Sequence, residues 1–452
     1  MKVKTVFGVG LCLYCLALAA IFLPPILYMT RTPVTIAGAD GHINPATIWQ
    51  GAEPKAVMLI GHGVTANQGV MAMLAKAFAR NDYAAVAFDF WGHGHSRNRF
   101  DWSANPAQIF NVFEWARREY PGLPIAYLGY SMGGFAGAEA FYDKPVADAF
   151  VSLGALPRRV PDCKTAVAAG IFEELFTIEH ARKTLGDTAD VISSPFSNHA
   201  TEASDPVLIA RIIAWVNRAL GFEHSVTFPW ILWAMSLSAV ALGCAGALLL
   251  ATAFTARVSG AAVPASPCTS ERRWSINPYR IAGMALGARG VSSPPRSGPL
   301  PAAVLRGIVF SGAGVFLLAL LLDVHIFTVS MFHPTRLLTW LILTLVFSVP
   351  VWFDAWVLER VPLKNTCARF AVAALTRCMP LLVFALGLRL IFPGLAFGSM
   401  ILGIYAFILV MLALVHALAT RAAADWRAGA TAVVVAGAWV TAFWFPLYWP
   451  WV

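Results

Sequence analysis

A serine between glycines is the residue of this sequence best suited to covalent chemistry. Residues 129–134 read Gly-Tyr-Ser-Met-Gly-Gly, with Ser131 after an apolar strand-like run and before a helical run at 135–142. A G-x-S-x-G pattern in this setting is typical of a nucleophile elbow, a strained turn that lifts the serine hydroxyl out of a sheet. Glycines suit such a turn because larger side chains would collide with the adjacent strand and helix. The alternative is a plain glycine-rich turn.

Three further segments carry residues suited to acid–base chemistry. Residues 59–64 end a strand-like run with a His-Gly pair, and residues 89–96 read Asp-Phe-Trp-Gly-His-Gly-His-Ser after the next run. Residues 197–199 read Ser-Asn-His and come shortly before Asp205 and Pro206, which are suited to the cap and first turn of a helix. All three segments are expected in loops.

Short apolar runs alternate with amphipathic helical patterns between residues 31 and 222. Residues 106–119 show such a helical pattern. The alternation predicts an α/β domain with a mostly parallel sheet and helices on both faces. Chemistry in such folds lies at the carboxyl ends of the strands. The strand-like runs lie at 56–60, 84–88, 124–128, 149–153 and 166–169.

The order of these motifs resembles the α/β-hydrolase superfamily, in particular its lysophospholipase, monoacylglycerol-lipase and serine-peptidase-like members. The resemblance covers about residues 33–220: His-Gly, then Asp-x-x-Gly-His-Gly-x-Ser, then the elbow, then an acid and a histidine. It implies the α/β-hydrolase fold and acyl transfer through a Ser-acid-His triad and an acyl-enzyme. We predict no cofactor and no metal ion.

By this resemblance, the acid of the triad lies in residues 169–174, where the family has roughly Gly-x-x-Asp. Glu173 falls at the acid position, and a glutamate can orient and stabilise an imidazolium as an aspartate does. Glu174 is the alternative acid. The base is predicted to be His199, because it follows the acid and precedes the last helix of the domain. Asp187 and Asp190 are further candidates for the acid.

The resemblance also implies an oxyanion hole, formed by the backbone N–H groups of Met132 and Val64. Asp89 is expected to anchor its loop rather than react. His42, His180 and His224 are expected at the surface. The residues predicted to shape the site are His62, Gly63, Gly129 and Gly133.

The composition excludes an ordinary soluble protein. Hydrophobic residues make up 58% of the chain and charged residues 13%, against about 25% charged in an average globular protein. Some apolar residues must therefore face lipid. The run 6–28 can be a signal peptide or an anchor, and we favour an uncleaved anchor because the run continues past Ala17-Leu18-Ala19. Six further runs are predicted to span a membrane: 227–255, 304–323, 336–355, 370–391, 396–418 and 430–448, the fourth of them interrupted by Arg377 and Arg389.

The charge distribution predicts the orientation of these spans. The net charge is +9, but residues 31–222 carry −2 and the remainder +11. The linker 256–302 contains six arginines and one acid. Basic loops favour the cytoplasmic side, and the linker, two later loops and the N-terminus agree on one side. Residues between the first two spans are therefore predicted to lie outside the cytoplasm.

Three regions follow from these patterns: an N-terminal anchor at 1–30, an α/β-hydrolase domain at 31–222, and a membrane domain of about six spans at 223–452. The partners expected are the lipid bilayer and an acyl-ester substrate, and no aromatic-basic pattern indicates nucleic acid. The predicted function is a membrane-bound serine hydrolase of a lipid-like or small apolar ester. An acyltransferase using the same triad and a non-catalytic transporter or receptor remain alternatives.

Overall fold

The chain divides into two compact units in the computed structural model. One unit contains residues 18–239 and is built around a sheet, and the other is helical and includes most of the chain beyond residue 240. The described residues are 3–38, 41, 43–223, 225–259, 299–323, 334–359, 361, 366–391 and 396–444. Most of the predicted basic linker, together with His42 and His224, lies outside them.

A single sheet of eight strands forms the centre of the first unit. Its order is β1-β2-β4-β3-β5-β6-β7-β8. β1 and β2 pair antiparallel at one side, β2 meets β4 antiparallel, and the other neighbours are parallel. The strands are β1 (Thr30–Ala37), β2 (Ile43–Gln50), β3 (Ala56–Gly61), β4 (Tyr83–Phe88), β5 (Ile125–Tyr130), β6 (Ala149–Leu153), β7 (Lys164–Gly170) and β8 (Asp190–Ser194).

Helices cover both faces of this sheet, which explains why the central strands are apolar throughout. Every residue of β3, β4 and β5 is buried. Alternate side chains enter opposite layers: Met58 and Ile60 pack with one core cluster, and Val57 and Leu59 with another. The covering helices are α2 (Ala72–Ala79), α3 (Asn105–Glu119), α4 (Met132–Asp143), α5 (Ile178–Leu185) and α6 (Pro206–Leu220). The predicted α/β class is thus confirmed.

The five predicted strands exist, but three strands have no counterpart in the sequence analysis. β1 and β2 form an antiparallel hairpin before the first predicted strand, and β8 is the last strand. β1 and β8 are the outermost strands, where one edge has no neighbour and polar residues are tolerated. β1 contains Thr30, Arg31, Thr32 and Pro33, so it lacks the apolar run that marks a buried strand.

The parallel strands end at a common edge, called the carboxyl edge below. β5 leads there directly into α4, β7 into the segment that contains Glu173, and β8 into the segment that contains His199. β5, β6, β7 and β8 are consecutive in the sheet. The loops that carry the predicted nucleophile, acid and base are therefore neighbours in space, although up to 68 residues separate them in sequence.

Seven helices of the described chain are long and apolar enough to cross a membrane, judged by length and composition. The sequence run interrupted by Arg377 is one continuous helix, Thr366–Ile391. Arg377 Nε donates to Asp354 Oδ2 of the helix Pro334–Leu358 at 2.9 Å, so an acidic partner on that helix offsets its charge. These helices are α1 (Val3–Tyr28), α7 (Trp230–Ser259), α8 (Leu300–Asp323), α9 (Pro334–Leu358), α10 (Thr366–Ile391), α11 (Ala396–Ala423) and α12 (Trp426–Trp444).

Candidate active site

Ser131 lies in the tight turn between β5 and α4. Its backbone has φ +49° and ψ −109°, a conformation that non-glycine residues rarely adopt. The carbonyl oxygen of Ser131 accepts N–H groups from Gly134 and Phe135 at 2.9 and 3.1 Å, and the serine is the N-cap residue of α4. Its own N–H donates to the carbonyl oxygen of Leu153 at 2.8 Å. A strained residue held by several hydrogen bonds is typical of a functional turn.

Two neighbouring glycines, Gly129 and Gly133, are needed because main chain packs directly against them. A Cβ at Gly129 would lie 2.2 Å from the carbonyl oxygen of Gly133, and a Cβ at Gly133 would lie 2.7 Å from that of Gly61. A Cβ at Gly63 would lie 3.3 Å from the Cβ of Ser131. Backbone cannot yield as a flexible side chain can, so these glycines let two loops and a helix meet at the serine.

His199 approaches Ser131 from the segment after β8. Its Nε2 lies 3.1 Å from Ser131 Oγ. The ring is 5% exposed and tilts against the Tyr130 ring, with centroids 5.3 Å apart. The Tyr130 hydroxyl donates to the carbonyl oxygen of His199, which fixes the main chain behind the ring. The imidazole can therefore accept the serine proton in a preorganised position.

Glu173 contacts the other side of the His199 ring. Its carboxylate oxygens lie 2.9 and 3.1 Å from Nδ1. The same carboxylate accepts the backbone N–H groups of Glu174 and Leu175 at 2.9 and 2.8 Å, which hold it in a fixed orientation. Glu174 instead contacts the main chain of the histidine segment: it accepts from His199 N at 3.0 Å and from Asn198 Nδ2 at 3.1 Å. Between the two candidates, Glu173 is the one that contacts the His199 ring.

These contacts form a hydrogen-bonded chain from hydroxyl to imidazole to carboxylate. In such a chain the acid holds the imidazole in the tautomer with its proton on Nδ1, which leaves Nε2 free to accept the serine proton. Asp190 and Asp187 are not part of it. Asp190 Oδ2 accepts from Trp215 Nε1 at 2.6 Å, and Asp187 follows α5 at the opposite edge of the sheet.

The predicted oxyanion donors flank the serine. Met132 is the first residue of α4, and Val64 follows Gly63, which packs against Ser131. Within the described part of the chain, no group accepts a hydrogen bond from either backbone N–H. A donor that is to bind a transient oxyanion must be unengaged in the resting site, so both meet this requirement.

His62 and His93 hold the loop that contains Val64. His62 accepts the Phe90 N–H on Nε2 at 3.1 Å, and its Nδ1 lies 2.8 Å from the carbonyl oxygen of Gly63. Burial, and to a smaller extent the adjacent His93, lowers the pKa of His62 to about 3, so the ring is neutral at physiological pH. His93 Nε2 lies 2.6 Å from the carbonyl oxygen of Val64.

Asp89 is buried and anchors the loop after β4, as expected from the sequence. Its oxygens accept from Gln68 N at 2.8 Å, from Gln68 Nε2 at 2.7 Å and from His95 N at 2.9 Å. A Cβ at Gly94 would lie 2.3 Å from this carboxylate. Asp89 therefore ties together the two loops that follow β3 and β4.

Glu202 is a residue of the site that the sequence analysis missed. It begins a short 3₁₀ turn, Glu202–Ser204, and is fully buried. Its Oε1 accepts from Gly170 N at 2.7 Å. Burial and the neighbouring Glu173 carboxylate raise the pKa of Glu202 well above its ordinary value. The available signal was an acid only three positions after the predicted base.

The donor atoms of three of these side chains are close enough together to bind a metal ion. A donor atom from each of Glu173, His199 and Glu202 lies within 4.8 Å of the other two. A cation bound there would displace the Nδ1 proton that links His199 to Glu173. The donor set therefore fits a hydrogen-bonded acid–imidazole cluster better than a resident metal.

Known proteins resemble part of this chain. A family model described as serine aminopeptidase, S33, matches residues 52–212. Human monoglyceride lipase is 30% identical over 117 residues, which are 23% of this chain and 39% of that protein. The monoacylglycerol lipase of Mycolicibacterium smegmatis is 27% identical over 110 residues, which are 23% of this chain and 39% of that protein. The chain thus spans about two fifths of the length of these relatives.

Solved structures similar to this chain include the esterase Pf2001 of Pyrococcus furiosus, at 14% identity and a TM-score of 0.39. That match covers 44% of this chain and 96% of the esterase. The sheet, the elbow between β5 and α4, and the residues matched by the S33 model all lie in the first unit. Residues 52–212 of this chain belong to the α/β-hydrolase superfamily.

Proposed function

We propose that this protein is a membrane-bound serine ester hydrolase in which Ser131 is the nucleophile, His199 the general base and Glu173 the acid. The observation that carries the proposal is the unbroken contact chain from Ser131 Oγ through His199 to the Glu173 carboxylate. The strained backbone of Ser131 supports it, because such strain is retained where function requires it.

The reaction begins when His199 Nε2 takes the hydroxyl proton of Ser131 and Oγ attacks the ester carbonyl carbon. The backbone N–H groups of Met132 and Val64 stabilise the oxyanion of the tetrahedral intermediate. Nε2 then gives the proton to the leaving alcohol as the carbon–oxygen bond breaks, which leaves an acyl group on Ser131. His199 then takes a proton from water as the water oxygen attacks the acyl carbon, and it returns that proton to Ser131 Oγ as the bond between Oγ and the acyl carbon breaks, which releases the carboxylic acid.

An exposed apolar surface beside the triad favours a lipid-like ester. Phe196 is 72% exposed, and three apolar residues flank the glutamates on the neighbouring segment at 43–53% exposure. Backbone hydrogen bonds join the two segments, from Ile171 N to Ser194 O and from Phe172 N to Ser197 O. We call this set, Ile171, Phe172, Leu175 and Phe196, the apolar rim. Contiguous exposed apolar residues mark binding surfaces for apolar ligands or lipid.

The connections of the sheet are also consistent with an uncovered site. Residues 154–163, between β6 and β7, are too few for a cap domain and contain no helix. An uncovered site supports a substrate drawn from a membrane.

The test uses the full chain in detergent or in proteoliposomes. A fluorophosphonate probe should label wild type and leave Ser131→Ala unlabelled, and the same variant should lose hydrolysis of a long-chain monoacylglycerol. Ser103→Ala is the matched control, because Ser103 lies in the same unit and its hydroxyl donates to Asp101 within its own turn. Labelling that persists in Ser131→Ala would refute the assignment of the nucleophile.

Three other functions would give different outcomes with the same protein. Transfer of the acyl group to an added alcohol rather than to water would indicate an acyltransferase. Cleavage of aminoacyl anilides in preference to esters would indicate a peptidase, the activity named in the matching family description. Intact labelling without turnover of any ester would favour a binding or transport function for the chain.

A further inference from the structure

Glu202 places a second carboxyl group beside the acid–base pair. It lies three residues after His199, in the 3₁₀ turn Glu202–Ser204, and none of its surface is exposed. Its Oε1 accepts the N–H of Gly170, the last residue of β7, at 2.7 Å. The carboxyl group is therefore fixed to the end of the strand that leads to Glu173.

The second oxygen of Glu202 points into the site. Oε2 is buried and has no hydrogen-bond partner within the described residues. A Cβ at Gly154 would lie 2.4 Å from this oxygen and 3.2 Å from Nδ1 and Cε1 of His199. Donor atoms of Glu173, His199 and Glu202 are within 4.8 Å of one another. Gly154, at φ +62°, leaves the room in which these groups meet.

Two carboxylates this close in a buried site repel each other strongly, and one of them gains a proton. Glu173 accepts two backbone N–H groups and contacts the His199 ring, so its oxygens already have hydrogen-bond partners. Glu202 accepts one N–H and is surrounded by acidic groups and by Tyr130. The ionisable groups facing it are Glu173, Glu174, His199 and Tyr130.

We propose that Glu202 is a positioning residue: a neutral carboxylic acid whose O–H is directed at the Glu173 carboxylate and holds that carboxylate against His199. This rests on the proposed function of the same site. The Glu202 proton stays in place through the reaction cycle, and the transferred proton moves only between Ser131, His199 and the leaving group. Because its carboxyl group is neutral, Glu202 adds no second negative charge next to the Glu173 carboxylate.

Glu202→Gln is the conservative variant, because a glutamine can accept from Gly170 N and donate its amide N–H toward Glu173. Glu202→Gln should retain a kcat within about threefold of wild type. Glu202→Met should lower kcat by roughly tenfold or more with little change in KM. The acidic limb of the kcat/KM profile should be unchanged in Glu202→Gln, since a neutral group replaces a neutral group. If Glu202 were ionised, its replacement would move that limb to lower pH.

An infrared measurement tests the proposal without relying on turnover. The difference spectrum between wild type and Glu202→Gln at neutral pH should contain the C=O band of a protonated carboxylic acid, which the variant lacks. A carboxylate band in its place, or a shifted acidic limb, would overturn the proposal. Wild-type turnover in Glu202→Met would overturn the positioning role. Failure of Ser131 labelling would instead refute the proposed function, and the infrared band would be unaffected.

Discussion

Glu174 holds the main chain of His199, with its Oε2 accepting the backbone N–H of that residue at 3.0 Å. Its neighbour Glu173 contacts the His199 ring. Two successive glutamates thus contact the same histidine at different atoms, one at the main chain and one at the ring. Their replacement should therefore lower kcat to different extents.

Glu173→Gln should lower kcat by roughly 10³- to 10⁴-fold, as replacement of a triad acid by an amide does when it favours the wrong imidazole tautomer. Glu174→Gln keeps a carbonyl oxygen that can accept from His199 N, so its loss of kcat should be far smaller. Steady-state hydrolysis of a p-nitrophenyl ester by the two variants and wild type measures the difference. A larger loss in Glu174→Gln would transfer the role of the acid to that residue.

His62 should make the first unit sensitive to acid. Its pKa is about 3 in the folded protein and near 6.5 when unfolded, so the unfolded chain binds the additional proton between these values. The contribution of His62 to the free energy of unfolding is complete above pH 6.5. It declines by up to about 1.4 kcal/mol per pH unit as the pH falls toward 3.

Thermal unfolding measured between pH 4 and 7 tests this contribution of His62. The relevant quantity is the change in stability per pH unit and not the stability at one pH. His62→Gln should be less stable than wild type at pH 7 but should show a weaker dependence on pH. His180→Gln is the control, because His180 is exposed on α5. Equal slopes in wild type and His62→Gln would show that burial does not keep His62 neutral in the folded protein.

Charges in the apolar rim should impair the use of membrane substrates selectively. Phe172→Asp and Phe196→Asp should lower kcat/KM for a monoacylglycerol presented in vesicles by about tenfold, because the rim loses apolar contact area with lipid. Hydrolysis of short soluble esters should change little. Tyr142→Asp, at the far end of α4 and also exposed, is the matched control. An equal loss for both substrates would place these residues in the acyl pocket instead.

The topology prediction decides which membrane face supplies the substrate. In a version without native cysteines, a cysteine at Ser103 should react with a membrane-impermeant maleimide on intact cells, and one at Ser292 should not. Basic loops such as the predicted linker are retained in the cytoplasm, whereas long segments translocate largely regardless of charge. Reaction at position 292 alone would place Ser131 in the cytoplasm. Permeabilised cells, in which both positions should react, provide the control.

Features that depend on neighbouring residues could be predicted from the sequence. The elbow around Ser131 is local, because the glycines, the strand before it and the helix after it are contiguous. The lengths of the apolar runs likewise identified seven candidate spans, including the helix that contains Arg377. The outer strands β1 and β8 escaped prediction because a strand at the edge of a sheet need not be apolar on both faces.

The order of serine, acid and histidine along the chain was enough to predict that they meet, because Ser131, Glu173 and His199 follow β5, β7 and β8, which are parallel and end at the carboxyl edge. Only the tertiary structure decided which side chain contacts which atom. Glu173 and Glu174 are adjacent in sequence, yet the turn directs one to the His199 ring and the other to its main chain. Glu202 joins the cluster because a 3₁₀ turn folds it back onto β7. Such contacts depend on backbone direction and on close packing between distant segments, and neither is encoded in residue spacing.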